Sequence, residues 1–314
     1  MRTKLITVLL SATLFAGGIS GSMPGMATAP VRTGEEPAVE TETTDTASVP
    51  GSFSIAWITD SQGCSSHKGE YRTIAEWISE HREEFNIRYV VGTGDYVWKG
   101  TRLPEWEEFH SFVEGIGTVP SFFIAGNHDL ERLKGDNPGT FLQMDVKTAE
   151  IPDDQKHRGG FGKYALFSEG GMDFVLAGLS YGFGDEDIEW MRDVLSRYPD
   201  RKGILLFHHF LTPSNRVNTE GKKLLDAIRK GPGNARLVLS GHNHGRGTGT
   251  FDVTEDGSHY LRAILYNYQD SALKKGTVRI LTFHPESGQV IMTAYYPLKP
   301  HLEPFQIVYE MDFS

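Results

Sequence analysis

From residue 53 onward the apolar positions follow two periods in turn. Residues 53–59, FSIAWIT, form a short apolar run. Residues 71–85, YRTIAEWISEHREEF, set Ile74, Trp77, Ile78 and Phe85 at helical spacing. A second β-branched run, IRYVVGTGD, covers 87–95, and 104–116 carry Trp106, Phe109 and Phe112 along one helical stripe. A third strand, VPSFFIAGNHD, covers 119–129. Strand, helix, strand, helix, strand at this spacing implies right-handed crossovers and a sheet with helices on its faces.

The pattern then changes. Residues 162–180 read as two strands around Gly170-Gly171. A helix follows over 185–198, acidic in its first turn as the helix dipole favours. Strand 202–210, a helix over 219–233 ended by Gly231-Pro232, and strand 235–245 come next. Residues 259–270, 277–297 and 305–313 are mostly strand. The expectation is one layered α/β domain over 51–314 with an antiparallel tail.

Five of the apolar runs stop abruptly on polar clusters. These are Asp60-Ser61-Gln62, Gly94-Asp95, Gly126-Asn127-His128-Asp129, His208-His209 and Gly241-His242-Asn243-His244. Ligand crevices in open α/β sheets lie outside the carboxyl ends of the strands. Five such ends would gather aspartates, asparagine and several histidines. Burying them without compensation is costly. Divalent metal is the simplest compensation, and carboxylate, amide oxygen and imidazole together suit Zn, Mn or Fe. Glycine before the ligand-type residues permits tight turns and close backbone approach.

The order D-x-[H], GD, GNHD, H, GHxH resembles the calcineurin-like metallophosphoesterase superfamily over residues 53–247. The resemblance implies a four-layer α/β/β/α sandwich, whose second sheet would take the antiparallel tail. It implies two divalent ions, Mn, Fe or Zn, clamping the attacking and phosphoryl oxygens of a phosphate ester. Residue by residue, Asp95 would bridge the ions. Asp60 and His244 would complete the first site, and Asn127, His208 and His242 the second. His208 takes the fourth motif rather than His209, because the family ligand is usually the first histidine after the strand. His128 would stand over the scissile phosphate as the catalytic residue, protonating the leaving oxygen or stabilising phosphoryl charge, while a metal-activated hydroxide attacks in line.

Two positions depart from the family pattern. Gln62 stands where histidine is usual; its carbonyl oxygen can serve as a weaker metal ligand, touch the metal's water, or bond locally. Trp98 stands where the protein phosphatases carry an aspartate that supports the catalytic histidine, so support for His128 must come from elsewhere, Asp129 being one candidate. These departures keep an alternative open: a catalytically weak or inactive metal-stabilised cell-envelope binding protein of the same fold. The polar-aromatic stretch Tyr266, Asn267, Tyr268, Gln269 is either part of the site or an ordinary turn. Monoester and diester substrates are not distinguished by the sequence, and neither is the oligomeric state.

Charge and composition narrow the partners. A formal net charge of -10 without a dense basic block argues against general nucleic-acid binding. Residues 1–29 read as a signal peptide: Arg2 and Lys4, an apolar stretch over 5–17, then small residues with Ala27 and Ala29 competing as the cleavage site. Residues 30–50 hold Pro, Glu and Thr with little apolar mass, an expected disordered acidic linker. The mature chain is therefore expected to be secreted or in the cell envelope, without a membrane span. A lone Cys64 excludes an internal disulfide and leaves a bland or a reactive thiol.

Overall fold

All six residues of the first strand, β1 (Phe53–Ile58), are buried, because both of its faces are covered. Ile55 and Trp57 point into one apolar core, Ala56 and Ile58 into another. That division sets the layering of the whole chain. The computed structural model describes residues 50–130, 151–272 and 274–314. The expected leader over 1–29 and the expected linker over 30–50 lie outside the described residues, Pro50 excepted.

In chain order the elements are β1, α1 (Gln62–Ser65), α2 (Glu70–Glu80), β2 (Ile87–Gly92), α3 (Leu103–Gly115), β3 (Ser121–Phe123), β4 (Lys156–His157), β5 (Gly162–Glu169), β6 (Met172–Leu179), α4 (Asp185–Arg197), β7 (Lys202–Phe207), α5 (Thr219–Arg229), β8 (Ala235–Ser240), β9 (Gly245–Asp252), β10 (Tyr260–Asn267), β11 (Val278–His284), β12 (Gln289–Tyr295) and β13 (Phe305–Glu310). They build a six-stranded sheet in the order β13-β12-β11-β1-β2-β3 and a seven-stranded sheet in the order β4-β5-β6-β7-β8-β10-β9.

Three cores separate four layers. Trp106, Phe109 and Phe112 of α3, with Tyr71, Ile74 and Ile78 of α2, cover one face of the first sheet. Phe53, Ile55 and Trp57 meet Leu176, Leu206 and Ile264 between the two sheets. Ile188, Met191 and Leu195 of α4 and Leu224 and Ile228 of α5 cover the far face of the second sheet. The architecture is the expected α/β/β/α sandwich.

The tail is corrected in one respect. Strands β11, β12 and β13 extend the first sheet, antiparallel from β1, and do not join the second. Trp57 pairs with Arg279 and Ile55 with Leu281, so β11 carries its own two-faced apolar pattern into the same cores. Strand β9 was not expected. Its sequence, GRGTGTFD, has three glycines and lacks the β-branched apolar signature, and it is held by eight paired positions on β10. Helix α2 ends at Glu80, and Phe85 still packs against Tyr295 from the turn that follows. Cys64 is fully buried, and burial pushes its thiol well above its ordinary value, which makes it the inert thiol. No helix among the described residues is long and apolar enough to cross a membrane.

Candidate metal centre

The parallel strands β1, β2 and β3 of one sheet and β7 and β8 of the other deliver their carboxyl ends to a common place. Asp60 N–H donates to the Gly94 carbonyl at 3.0 Å, and Gly241 N–H to the His208 carbonyl at 2.9 Å. Three of the six described non-glycine residues with left-handed backbone are here: Asp60 (φ 48°), Asp95 (φ 58°) and His242 (φ 67°). Such conformations cost about 1–3 kcal/mol each and persist where surrounding bonds over-determine them. The glycines are required by contact. A Cβ on Gly126 would stand 2.2 Å from Asp95 Oδ1, and one on Gly241 would stand 2.0 Å from Asp60 Oδ2.

Four side chains converge tightly. His208 Nε2 lies 3.0 Å from Asn127 Oδ1, 3.3 Å from Asp95 Oδ2 and 3.2 Å from His242 Nδ1. His242 Nδ1 lies 2.9 Å from Asn127 Oδ1. The other nitrogen of His208, Nδ1, donates to the Thr93 carbonyl at 2.7 Å. With that proton fixed, a neutral His208 turns a bare lone pair toward a carboxylate oxygen, an amide oxygen and another imidazole. Lone pairs so arranged need a cation between them, either a proton or a metal ion. Among the described histidines, cysteines and acidic residues, Asp95, His208 and His242 are the one group close enough to share an ion. His209 is not in it; its ring lies tilted against His242, with centroids 4.5 Å apart.

Asp60, Gln62 and His244 are placed differently. Asp60 is buried, and both of its oxygens accept: from Thr59 Oγ1 at 2.6 Å, from Asn267 Nδ2 at 2.8 Å, and from the His242 N–H at 3.0 and 3.1 Å. Gln62 is fully buried and donates Nε2–H to Gln269 Oε1 at 2.6 Å, while its own Oε1 has no hydrogen-bond partner among the described residues. His244 is exposed; its Nδ1 contacts the Asp270 carboxylate, and its Nε2 faces Gln269 Nε2 at 2.7 Å. The stretch around Asn267 is thus the outer wall of the site rather than a plain turn.

His128 is half-buried beside the cluster, and its N–H donates to Asp95 Oδ1 at 2.9 Å. Its ring Nδ1 donates to the Trp98 carbonyl at 2.8 Å. Support for His128 therefore comes from the main chain at Trp98, which no side-chain pattern could reveal. Asp129 does other work: fully buried, it accepts the N–H groups of Asp95, Tyr96, Val97 and Gly126. Tyr181 was also missed. It follows β6, a further parallel strand ending at the same edge, and its ring lies 5.6 Å from that of His242 and 5.8 Å from that of His208.

Charge in the cluster is concentrated on one pair. Burial disfavours the His208 imidazolium, yet the charge and hydrogen bond of Asp95, with the Asp60 charge and the Thr93 carbonyl, together outweigh burial and lift its pKa to about 9. Burial likewise works against the Asp95 carboxylate, but the His208 charge and hydrogen bond hold it below the ordinary range. Burial and the His208 charge push His242 down to about 4. Burial, then the Asp95 charge, raises Asp129 to about 7. A raised histidine stabilises the fold fully below its unfolded pKa of about 6.5 and loses that contribution as pH climbs through the folded value. The metal-free chain should therefore lose about 3 kcal/mol from His208 between about pH 6.5 and 9. Saturating divalent ion, which binds the neutral imidazole, should remove that loss. Urea melts at several pH values, with and without ion, would read it, and a flat metal-free profile would refute it.

A family profile described as Calcineurin-like phosphoesterase matches residues 53–246. An uncharacterized protein of Bacillus subtilis, YvnB, is 30% identical over 256 residues, which are 78% of this chain and 20% of that protein. The 3',5'-cyclic adenosine monophosphate phosphodiesterase CpdA of Haemophilus influenzae is 22% identical over 189 residues, 56% of this chain and 61% of that one. The chain thus spans less than two thirds of either relative. A purple acid phosphatase of yellow lupin, PPD1, superposes with a TM-score of 0.54 at 14% identity, covering 82% of this chain and 54% of the phosphatase, a likeness of fold.

Proposed function

The chain belongs to the calcineurin-like phosphoesterase family, and from that premise we propose that it is an exported, metal-dependent hydrolase of phosphate esters that works with two divalent ions. The observation that carries this reading is the convergence of Asp95, Asn127, His208 and His242 on one point, with His128 beside it. That donor set fits a divalent ion of the Mn, Fe or Zn type. The second ion would draw on Asp60, Gln62 and His244, with Asp95 shared. When bound, such ions supply Lewis acidity to phosphoryl oxygens and lower the pKa of a held water.

The chain's own residues have separate tasks. Asp95 places one oxygen toward the cluster and spends the other on the His128 N–H, which ties the ligand set to the acid. The Trp98 carbonyl fixes the Nδ1 proton of His128, so Nε2 is the position that exchanges a proton with a leaving oxygen. Thr93 does the same for His208, holding the tautomer that turns Nε2 inward.

Both monoesters and diesters belong in the assay. The relative named as a cyclic adenosine monophosphate phosphodiesterase puts diesters first. With chromogenic esters and added Mn²⁺, wild type should turn over, and chelator should stop it. His128→Ala should lower kcat by about 10²–10³ at unchanged metal content. Equal rates in wild type and His128→Ala would favour the alternative, a metal-stabilised binding protein. Export is tested separately: the intact mass of protein recovered from outside the cytoplasm should place the new N-terminus after Ala27 or Ala29, and a retained leader would refute it.

A further inference from the structure

The donors ascribed to the two ions are not in the same condition. The side chains of Asp95, Asn127, His208 and His242 aim their donor atoms at one another. Those of Gln62 and His244 aim at Gln269. The Gln269 side chain is an amide with a donor at one end and an acceptor at the other. Its Oε1 accepts the Gln62 Nε2–H at 2.6 Å, and its Nε2 donates to His244 Nε2 at 2.7 Å. The lone pair that His244 would give to an ion is therefore already in use. Its Nδ1 is held by Asp270, so turning the ring over offers no second lone pair.

Gln269 is itself fixed in this position. Its N–H donates to Asn267 Oδ1 at 2.9 Å, and Asn267 Nδ2 donates to Asp60 Oδ1 at 2.8 Å and to the His242 carbonyl at 3.0 Å. The strap from Asn267 to Gln269 thus touches Asp60, Gln62 and His244, every residue ascribed to the first ion except the shared Asp95. The one unused donor is Gln62 Oε1, a buried carbonyl oxygen without a partner among the described residues. A buried orphan of this kind is costly and marks a place where something further binds.

We propose that Gln269 is an intramolecular latch on the first metal site: its amide bridges Gln62 and His244 where an ion would otherwise join them, so the two sites load unequally. The inference rests on the metal-dependent reading above. One ion binds tightly at Asp95, Asn127, His208 and His242. The second binds once the Gln269 side chain swings away, which frees His244 Nε2 and lets Gln62 turn its orphaned oxygen to the ion.

The test counts metal and does not depend on turnover. The full chain and its Gln269→Ala variant are stripped, loaded with Mn²⁺, desalted and analysed by elemental mass spectrometry, with calorimetric titration of each stripped protein. Wild type should retain one ion, with a second class of site at least about tenfold weaker, the scale on which groups next to ligands shift metal affinity. Gln269→Ala should retain two, its weaker site tightened by about tenfold or more. Retention of the first ion, held by four side chains that share no hydrogen bond with Gln269, also reports that the variant is folded. Two ions retained by wild type would overturn the latch. So would weakening of the second site in the variant, which would make Gln269 a support for the ligands. One ion in both proteins overturns the latch alone, whereas none in either overturns the metal-dependent reading with it.

Discussion

Asp95→Asn is expected to lower phosphoesterase turnover by about 10³-fold or more, the combined scale of losing metal-centred catalysis and its electrostatic stabilisation. The substitution keeps the number of heavy atoms and an oxygen for the His128 N–H, now 2.9 Å away. What it removes is charge. Asp95 is 3% exposed and is the anion that lifts His208, and the proposed mechanism has both donor sets share it. Without it the two ions of the proposed mechanism would lose their shared carboxylate, and the buried His208 loses its ionic partner 3.3 Å away. Initial rates at equal metal loading, with bound metal measured alongside, separate the two consequences. A variant keeping more than a tenth of wild-type activity with full metal content would remove Asp95 from the centre of the mechanism.

Much of this centre was legible because its chemistry sits in side chains at strand ends. Asp60, Asp95, Asn127, His208 and His242 are polar residues that interrupt apolar runs, and topology brings five such interruptions together. What supports them was less legible, for a physical reason: it is mostly main chain. The Trp98 carbonyl on His128 and the Thr93 carbonyl on His208 would be the same whatever side chain stood there. The left-handed backbone at Asp60, Asp95 and His242 has only a weak sequence signal, since glycine is the residue expected at φ above zero and Asp and His follow well behind it. Tyr181 was passed over because β6 is followed by Ser180 and an aromatic instead of a ligand-type cluster. Strand β9 was passed over because its partner β10, and not its own propensity, makes it a strand.

Gln62 could not be resolved from sequence for a related reason. Its three possible roles differ only in what its two amide atoms meet. Nε2 meets Gln269, more than two hundred residues away, at |i−j| = 207, and Oε1 meets nothing among the described residues. The partner of the residue that departs from the family pattern therefore lies in the turn after a strand of the other sheet, far away in sequence.

The largest effect on stability is expected at Asp129, which touches no substrate. Its carboxylate accepts four main-chain N–H groups at 2.7, 2.8, 3.3 and 2.8 Å and so pins the loop after β2 to the loop after β3. Alanine would leave those four donors buried without an acceptor, at roughly 1–3 kcal/mol apiece before relaxation. Some of that is offset, since removing the carboxylate also relieves its repulsion with Asp95, the charge that helps raise Asp129 to about 7. A net loss of roughly 4 kcal/mol is expected, a large part of the ~5–15 kcal/mol that holds a typical domain together. Asp129→Asn should fall between, because one amide oxygen can serve at most about two of the four donors. Denaturant unfolding of the metal-free proteins gives the order directly: wild type above Asn above Ala. An alanine variant within 1 kcal/mol of wild type would mean that water satisfies the four N–H groups.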